Sequence, residues 1–371
     1  MCRTPALGGH RITCDSCGHS KHIYHSCGHS HCPLCQNRKR QLWQDKLTQK
    51  LLAVPYVHIV FTLPHQLNTL AKLNKRIMYN NIMRAAWKTV KNLSSDKTNI
   101  GGKPGMVAVL HTFGSDMKYH VHVHALVTFG GLDNHGRWQW PKRKKKIAPY
   151  RKMCSEYRRV FLAMLRNQVE NKELLLVENI ESIIQEVSSK RWNVRNQYPT
   201  ADTQVLTQYL ARYINRIAIA KSRLAFIVGQ NNMADMVNIE YKDYRKQRSG
   251  KPAPVAIKPM QPLVAINQFL MHVLPAYFQK SRYYGIHNPT TYRHIKAQIP
   301  HKLKNNTETI RILFSIMKEI AGLKEHHCDN CKGSSFSYSS IQRCQNWIFQ
   351  FILLPNYRGP PKYNSTTTHV F

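Results

Sequence analysis

Acidic residues are scarce. Nineteen Asp and Glu stand against 55 Lys and Arg in 371 residues, giving a formal net charge of +36. A compact chain with that excess repels itself unless a polyanion or counterions neutralise it. Nucleic acid is the simplest such partner, because each phosphate contact releases condensed counterions. The few acids form no cluster along the sequence of the kind a two-metal carboxylate nuclease uses. Long apolar runs are also missing. The longest candidates, 348–354 and 263–274, are interrupted by Gln, Asn or His, and a spanning helix needs ~18 apolar residues. A membrane is therefore not the expected partner. The opening MCRTPALGGH lacks the apolar stretch of a signal peptide, so the chain reads as cytosolic. No G-x-x-x-x-G-K-[ST] loop occurs, and no ATP chemistry is indicated. No repeat of solenoid length is present.

What is there begins with a core. Hydrophobic residues make up 42% of the chain, enough for packed domains rather than disorder. The ten cysteines do not suit structural disulfides in a cytosolic protein. Five of them, Cys14, Cys17, Cys27, Cys32 and Cys35, crowd one short stretch. Cys14-x-x-Cys17 and Cys32-x-x-Cys35 read as two knuckles that turn their thiolates onto one structural zinc ion. Cys27 is an alternative ligand, and Cys2 with His10 leaves room for a second ion. Residues 1–40 have little apolar periodicity and need such a staple. A further pair, Cys328-x-x-Cys331 beside His326 and His327, is a weaker zinc candidate, because one knuckle alone is not a site.

Along the chain, a helix is expected over 41–52, a strand over 54–64 and a helix over 67–93. Strands follow at 105–114 and 119–131, joined through Ser115 and Asp116. KRKKK, 142–146, reads as an exposed loop or helix start. Residues 150–190 read as helical, as does 202–221 after Pro199. LAFIVG and MVNIEYKDY resemble a strand pair, 262–279 a helix, and the tail beyond Ile295 a helix followed by a Cys-bearing, loose end.

Two constellations carry chemistry. In YHVHVHALVTFGG, His120, His122 and His124 alternate with apolar residues. In a strand that alternation places three imidazoles on one face. Imidazoles alone suit Mg²⁺ or Mn²⁺ poorly, but a phosphate oxygen completing the shell would let the ion act as a Lewis acid on a scissile phosphate. In QYLARYINR, Tyr209 and Tyr213 are helical neighbours with Arg212 and Arg216 beside them. Tyr213 falls inside the apolar stripe of Leu206, Leu210, Ile214 and Ile217. Tyr209 lies about 40° beyond it. Both tyrosines therefore admit a plain core-packing reading. A phenol becomes a nucleophile only when a cation stabilises its phenolate.

The motifs CRTPALGGH, CDSCG, SCGHSHCPLCQNR, HIVFTLP, LHTFGSDMKYHVHVHALVTFGG, QYLARYINR and HVLPAYFQKSRYYGI follow one another across roughly residues 2–286. In that order they resemble the two-tyrosine, rolling-circle insertion-sequence transposases of bacteria, within the His-hydrophobic-His (HUH) endonuclease superfamily. Members usually carry a helical segment before CRTPALGGH, where this chain begins at Met1. The resemblance implies an α+β fold: a small zinc-ribbon-like module, then an antiparallel sheet of about five strands with packed helices. The expected division is 1–45 for the zinc-binding DNA-recognition module, 46–290 for the catalytic domain and 291–371 for a helical, Cys-bearing tail. The implied activity is metal-dependent nicking and rejoining of single-stranded DNA at transposon ends and target, through a 5′-phosphotyrosine. The implied setting is the bacterial cytoplasm, at the nucleoid. His122 and His124 match the paired metal ligands, with His120 beside them; Tyr209 and Tyr213 match the nucleophile pair. Arg212 and Arg216 offset phosphate charge. The third ligand to the divalent ion, Mg or Mn, stays open between His120, Gln204 or Gln208, and water. A rolling-circle replication initiator or relaxase shares the histidines and tyrosines but does not call for the zinc module. A non-enzymatic zinc-dependent DNA-binding protein explains the charge and cysteines, but not three histidines in register.

Overall fold

The computed structural model describes residues 2–29, 32, 43, 47, 50–175, 177–200, 218–219, 221–228, 234–247, 251–295, 328–333 and 335–341. In chain order the strands are β1 (Gly9–Cys14), β2 (Ser20–Tyr24), β3 (Tyr56–Thr62), β4 (Gly105–Phe113), β5 (Tyr119–Thr128), β6 (Gly131–Leu132), β7 (Trp138–Gln139), β8 (Val194–Asn196), β9 (Leu224–Val228), β10 (Ala234–Lys242), β11 (Val255–Met260), β12 (Ser281–Gly285) and β13 (Phe336–Ile341). The helices are α1 (Asn68–Leu73), α2 (Lys75–Ser95), α3 (Tyr150–Glu170), α4 (Ile180–Ser189), α5 (Pro262–Met271) and α6 (Pro289–Ile295). The chain forms two compact units, Met1–Lys39 with Asn306–Phe371, and Arg40–Asn305. Within the stretch expected as a helical, Cys-bearing tail, 328–333 and 335–341 fall in the unit of the amino terminus, where β13 pairs along β1, and 291–295 fall in the larger unit.

The larger unit is built on a five-stranded antiparallel sheet in the order β12-β4-β5-β3-β8. Its centre is β5, where valine alternates with histidine and then gives way to an apolar run. β-branched residues suit a pleated, packed surface. Val121, Val123, Ala125 and Val127 lie on one face with Val57, Ile59 and Phe61 of β3 and Met106, Ala108 and Leu110 of β4, all buried. Each such large side chain contributes roughly 1.5–3 kcal/mol when withdrawn from water. Helices α2 and α3 cover this face. Met78, Ile82, Ala85, Ala86 and Val90 recur along α2 at helical spacing and are buried, as the amphipathic rule requires.

The expected helix over 67–93 is interrupted at Asn74. Its amide nitrogen donates to Leu70 O at 3.1 Å and Leu175 O at 2.8 Å, and its oxygen accepts from Leu175 N at 2.8 Å. A side chain that bonds backbone in this way competes with the helix. The stretch 150–190 also divides, with left-handed backbone at Lys172 and Asn179 between α3 and α4. Helix α5 stops at Met271 rather than near 279. The ring of His272 is drawn inward instead, donating from Nε2 to Met117 O at 2.8 Å. The chain then enters β12, an edge strand paired with β4. Its sequence, SRYYG, has no alternation to announce it.

The opposite face of the sheet carries the histidines. At one end it is sealed by Tyr56, Val107, Val109, Leu126 and Ile286 together with Leu47, Leu51, Leu52 and Val54. At the other, Phe113 and Met117 pack with Ala218, Ile219, Val237, Ile239 and Met260. That second cluster belongs to a three-stranded sheet, β11-β10-β9. Among the described residues no helix is long and apolar enough to cross a membrane.

The smaller unit is a three-stranded antiparallel sheet, β13-β1-β2. Cys14 ends β1, and Gly18 closes the following turn with φ +71°, a conformation glycine adopts without steric cost.

Candidate functional site

The hairpin β4–β5 sets the site. Its register places His111 directly opposite His122, and Val109 opposite His124. Paired residues share a face, so His111 joins the histidine row of β5. The ligating nitrogens of His111, His122 and His124 lie within 4.8 Å of one another. His111 and His124 are buried, and His122 is half-exposed. The ring centroids are 5.3 Å apart for His111–His122, 4.7 Å for His111–His124 and 4.9 Å for His122–His124.

Two hydrogen bonds orient these rings. His122 Nδ1 lies 2.8 Å from His120 O. A carbonyl only accepts, so Nδ1 carries the proton and Nε2 keeps its lone pair for an ion. His124 Nδ1 lies 3.0 Å from Nε2 of the buried His58 on β3. Burial holds His58 down to about 4, so it is neutral at ordinary pH. Its Nε2 can then accept from His124 Nδ1–H, leaving His124 Nε2 as the ligand atom.

His120, expected beside the metal pair, is not one of the three. It is exposed at the end of the row, its ring 5.0 Å from that of His122. His111 and His58 were not read from the sequence. Counting back from the turn at Ser115 and Asp116 sets His111 against Val121, on the other face; the register shift between His111 and Phe113 brings it opposite His122. His58 sits in an ordinary buried strand and gives no signal. Tyr209, Tyr213, Arg212, Arg216, Gln204 and Gln208 lie outside the described residues. Their segment leaves the described chain at Thr200, which is bonded to Tyr56 in both directions at 2.8 and 2.9 Å. It re-enters at Ala218 and Ile219, packed with Phe113 of β4. Both flanks thus rest on the histidine sheet.

The donor set of the site is three imidazoles. That set fits a borderline divalent ion. Phosphate oxygens of a bound strand would supply the hard ligands.

Among the described residues cysteines gather in two groups. Cys14 and Cys17 lie with Cys328 and Cys331, not with Cys32. Cys27 and Cys32 lie with Cys2, and Cys27 N donates to Cys2 Sγ at 3.3 Å. Cys35 lies outside the described residues. Cys328 and Cys331 reach Cys14 and Cys17 where β13 pairs along the edge of β1. Local spacing carries no trace of such a pairing.

Known families match in the same places. The Y2_Tnp family, described as "Putative transposase", matches residues 105–294. This span holds the whole β4–β5 hairpin and all three histidines. The chain belongs to the Y2_Tnp transposases. A second family, "Transposase zinc-binding domain" of the IS91 type, matches residues 1–63. A relative from Sinorhizobium fredii, "Putative transposase y4qJ", is 33% identical over 77% of this chain and 71% of its own. The "Transposase for insertion sequence element IS801" of Pseudomonas savastanoi pv. phaseolicola is 26% identical over 76% of this chain and 67% of its own. No solved structure matches. As an IS91-type Y2_Tnp transposase the chain is an enzyme that cleaves DNA and transfers strands, and DNA is its partner. The zinc-binding match and the cysteine groups together assign it structural zinc.

Proposed function

We propose that this transposase nicks and rejoins single-stranded DNA through a 5′-phosphotyrosine. The observation that carries the reading is the convergence of His111, His122 and His124 on one sheet face, within the span matched by the transposase family. His111, His122 and His124 would hold a divalent ion, which would supply Lewis-acid polarisation of the scissile phosphate. His120 O and His58 keep the ligand rings in the tautomer that offers Nε2. The Tyr209 oxygen forms a bond to phosphorus as the P–O3′ bond breaks. The phenol gives up its proton and the leaving 3′ oxygen takes one up. The phosphotyrosine retains the energy of the broken diester, so rejoining needs no ATP. Tyr213 makes the second cleavage that strand exchange between donor and target requires. Arg212 and Arg216 offset the phosphate charge. The zinc unit recognises the element ends. The bacterial cytoplasm, at the nucleoid, is the setting that follows.

The test is a denaturing gel of the protein with labelled single-stranded end sequence and Mn²⁺. Tyr209→Phe removes one hydroxyl and keeps the ring packing, so folding should persist while the covalent adduct disappears. Tyr213→Phe should keep the first cleavage and block completed transfer. Core packing alone predicts parental behaviour for both. An adduct formed by the double Phe variant would overturn the mechanism.

A further inference from the structure

The two ends of this chain meet at four thiols. Cys14 Sγ is 3.6 Å from Cys331 Sγ, and Cys17 Sγ is 3.6 Å from Cys328 Sγ. All four sulfurs lie within 4.8 Å of one another. A disulfide needs about 2.05 Å between sulfurs, so these are not bonded pairs. A tetrahedral zinc ion with Zn–S of ~2.3 Å spaces its thiolates at ~3.8 Å. The cluster has nearly that edge.

The backbone around the cluster is built twice. In CDSCG, Gly18 N donates to Cys14 O at 2.9 Å, Cys14 N donates to His19 O at 2.9 Å, and Gly18 has φ +71°. In CDNCK, Lys332 N donates to Cys328 O at 3.0 Å, Cys328 N donates to Gly333 O at 2.8 Å, and Lys332 has φ +62°. A lysine held left-handed costs free energy that a loose tail would not sustain. Asn330 Nδ2 of the second turn lies 3.7 Å from Cys17 Sγ. From this second knuckle the chain runs straight into β13, which pairs with β1 over its full length, from Cys14↔Phe336 to Gly9↔Ile341.

We infer that the zinc module is bipartite. One zinc ion on Cys14, Cys17, Cys328 and Cys331 fastens the segment 328–341 to β1, and a separate ion is held by the group containing Cys2, Cys27 and Cys32. The zinc-binding family match ends at residue 63 and so contains only half of the first site. The loop closed by that ion spans nearly the whole chain, yet closure entropy grows only with the logarithm of loop length. Two consequences follow. The module is complete only once the carboxy-terminal knuckle has been synthesised. Loss of that knuckle unmakes the module while leaving the histidine sheet, whose strands all lie in the other unit, intact.

Zinc counting by native mass spectrometry on the full chain tests this. The parent should carry two ions. Cys328→Ser with Cys331→Ser should carry one, as should Cys27→Ser with Cys32→Ser. Cys331→His, which still offers a ligand, should return to two. A parent with one ion, or a Cys328→Ser, Cys331→Ser variant that keeps two, overturns the inference. Hydrogen exchange on the parent alone gives an independent reading, should the serine variants fail to fold. On zinc removal by a chelator, 9–14 and 336–341 should lose protection together. If 336–341 is already unprotected in the zinc-loaded chain, the inference falls.

Discussion

His58 Nε2 and His124 Nδ1 face each other at 3.0 Å on the histidine face of the sheet, with their rings nearly parallel at 13°. One is a proposed metal ligand, and the other touches no ion. His58 is buried and held neutral, so its Nε2 can accept the proton of its neighbour.

His58→Phe should therefore weaken the metal without unfolding the sheet. Partners one step removed from a metal typically contribute 10–100-fold in affinity, so the Mn²⁺ needed for half-maximal nicking should rise by about that factor. His58→Gln, whose side-chain oxygen can accept the same proton, should recover most of it. A metal titration of nicking reads both. Unchanged metal dependence in the Phe variant would reduce His58 to core packing.

His111 separates this site from a simple two-histidine pair. His111→Ala should raise the Mn²⁺ requirement at least as far as the His58 change, on the order of 100-fold, with binding to single strands unaffected. His120→Ala, at the exposed end of the row, should alter it little. The parent should work better with Mn²⁺ than with Mg²⁺, since the protein supplies nitrogen alone. Equal loss in the His111 and His120 variants would contradict the geometry.

The charge of +36 should appear in the salt dependence of binding. Affinity for single strands should fall by ~0.7 log units per log unit of salt for each phosphate contacted. A slope near zero between low and physiological salt would exclude phosphate contact as the main source of affinity.

Stability should depend on pH through His287. The Tyr56 hydroxyl accepts from Leu52 N at 2.8 Å and shares a 3.1 Å hydrogen bond with His287 Nε2. Burial pushes His287 down to about 4 from 6.5. The unfolded chain therefore takes up the proton first. The contribution is complete above pH ~6.5, declines as pH falls toward 4, and amounts to about 3 kcal/mol at most. Urea midpoints across that window measure it. His287→Gln should be less stable at neutral pH and show a shallower decline. An equal slope in both proteins would show that the proton is taken up elsewhere.

Much of this protein is legible locally. The period-two alternation in β5 announces a strand with histidines on one face. The spacing of Met78, Ile82, Ala85 and Val90 announces a helix that covers a sheet. Cys-x-x-Cys announces a knuckle, and the net charge announces a polyanion. Each signal is set by neighbours within a few residues, where backbone geometry alone decides which side chains point together. Tertiary structure decided the rest. His111 enters the site only through the register of the β4–β5 hairpin, and His58 only through the pairing of β3 with β5. The edge strand β12, SRYYG, has no periodicity of its own and pairs where β4 offers unpaired backbone groups. The cysteines make the point most sharply. Two adjacent knuckles look like one site by spacing, yet the partner of Cys14 and Cys17 comes from positions 328 and 331. A metal selects ligands by distance in space, and a strand edge is filled by whichever segment can reach it.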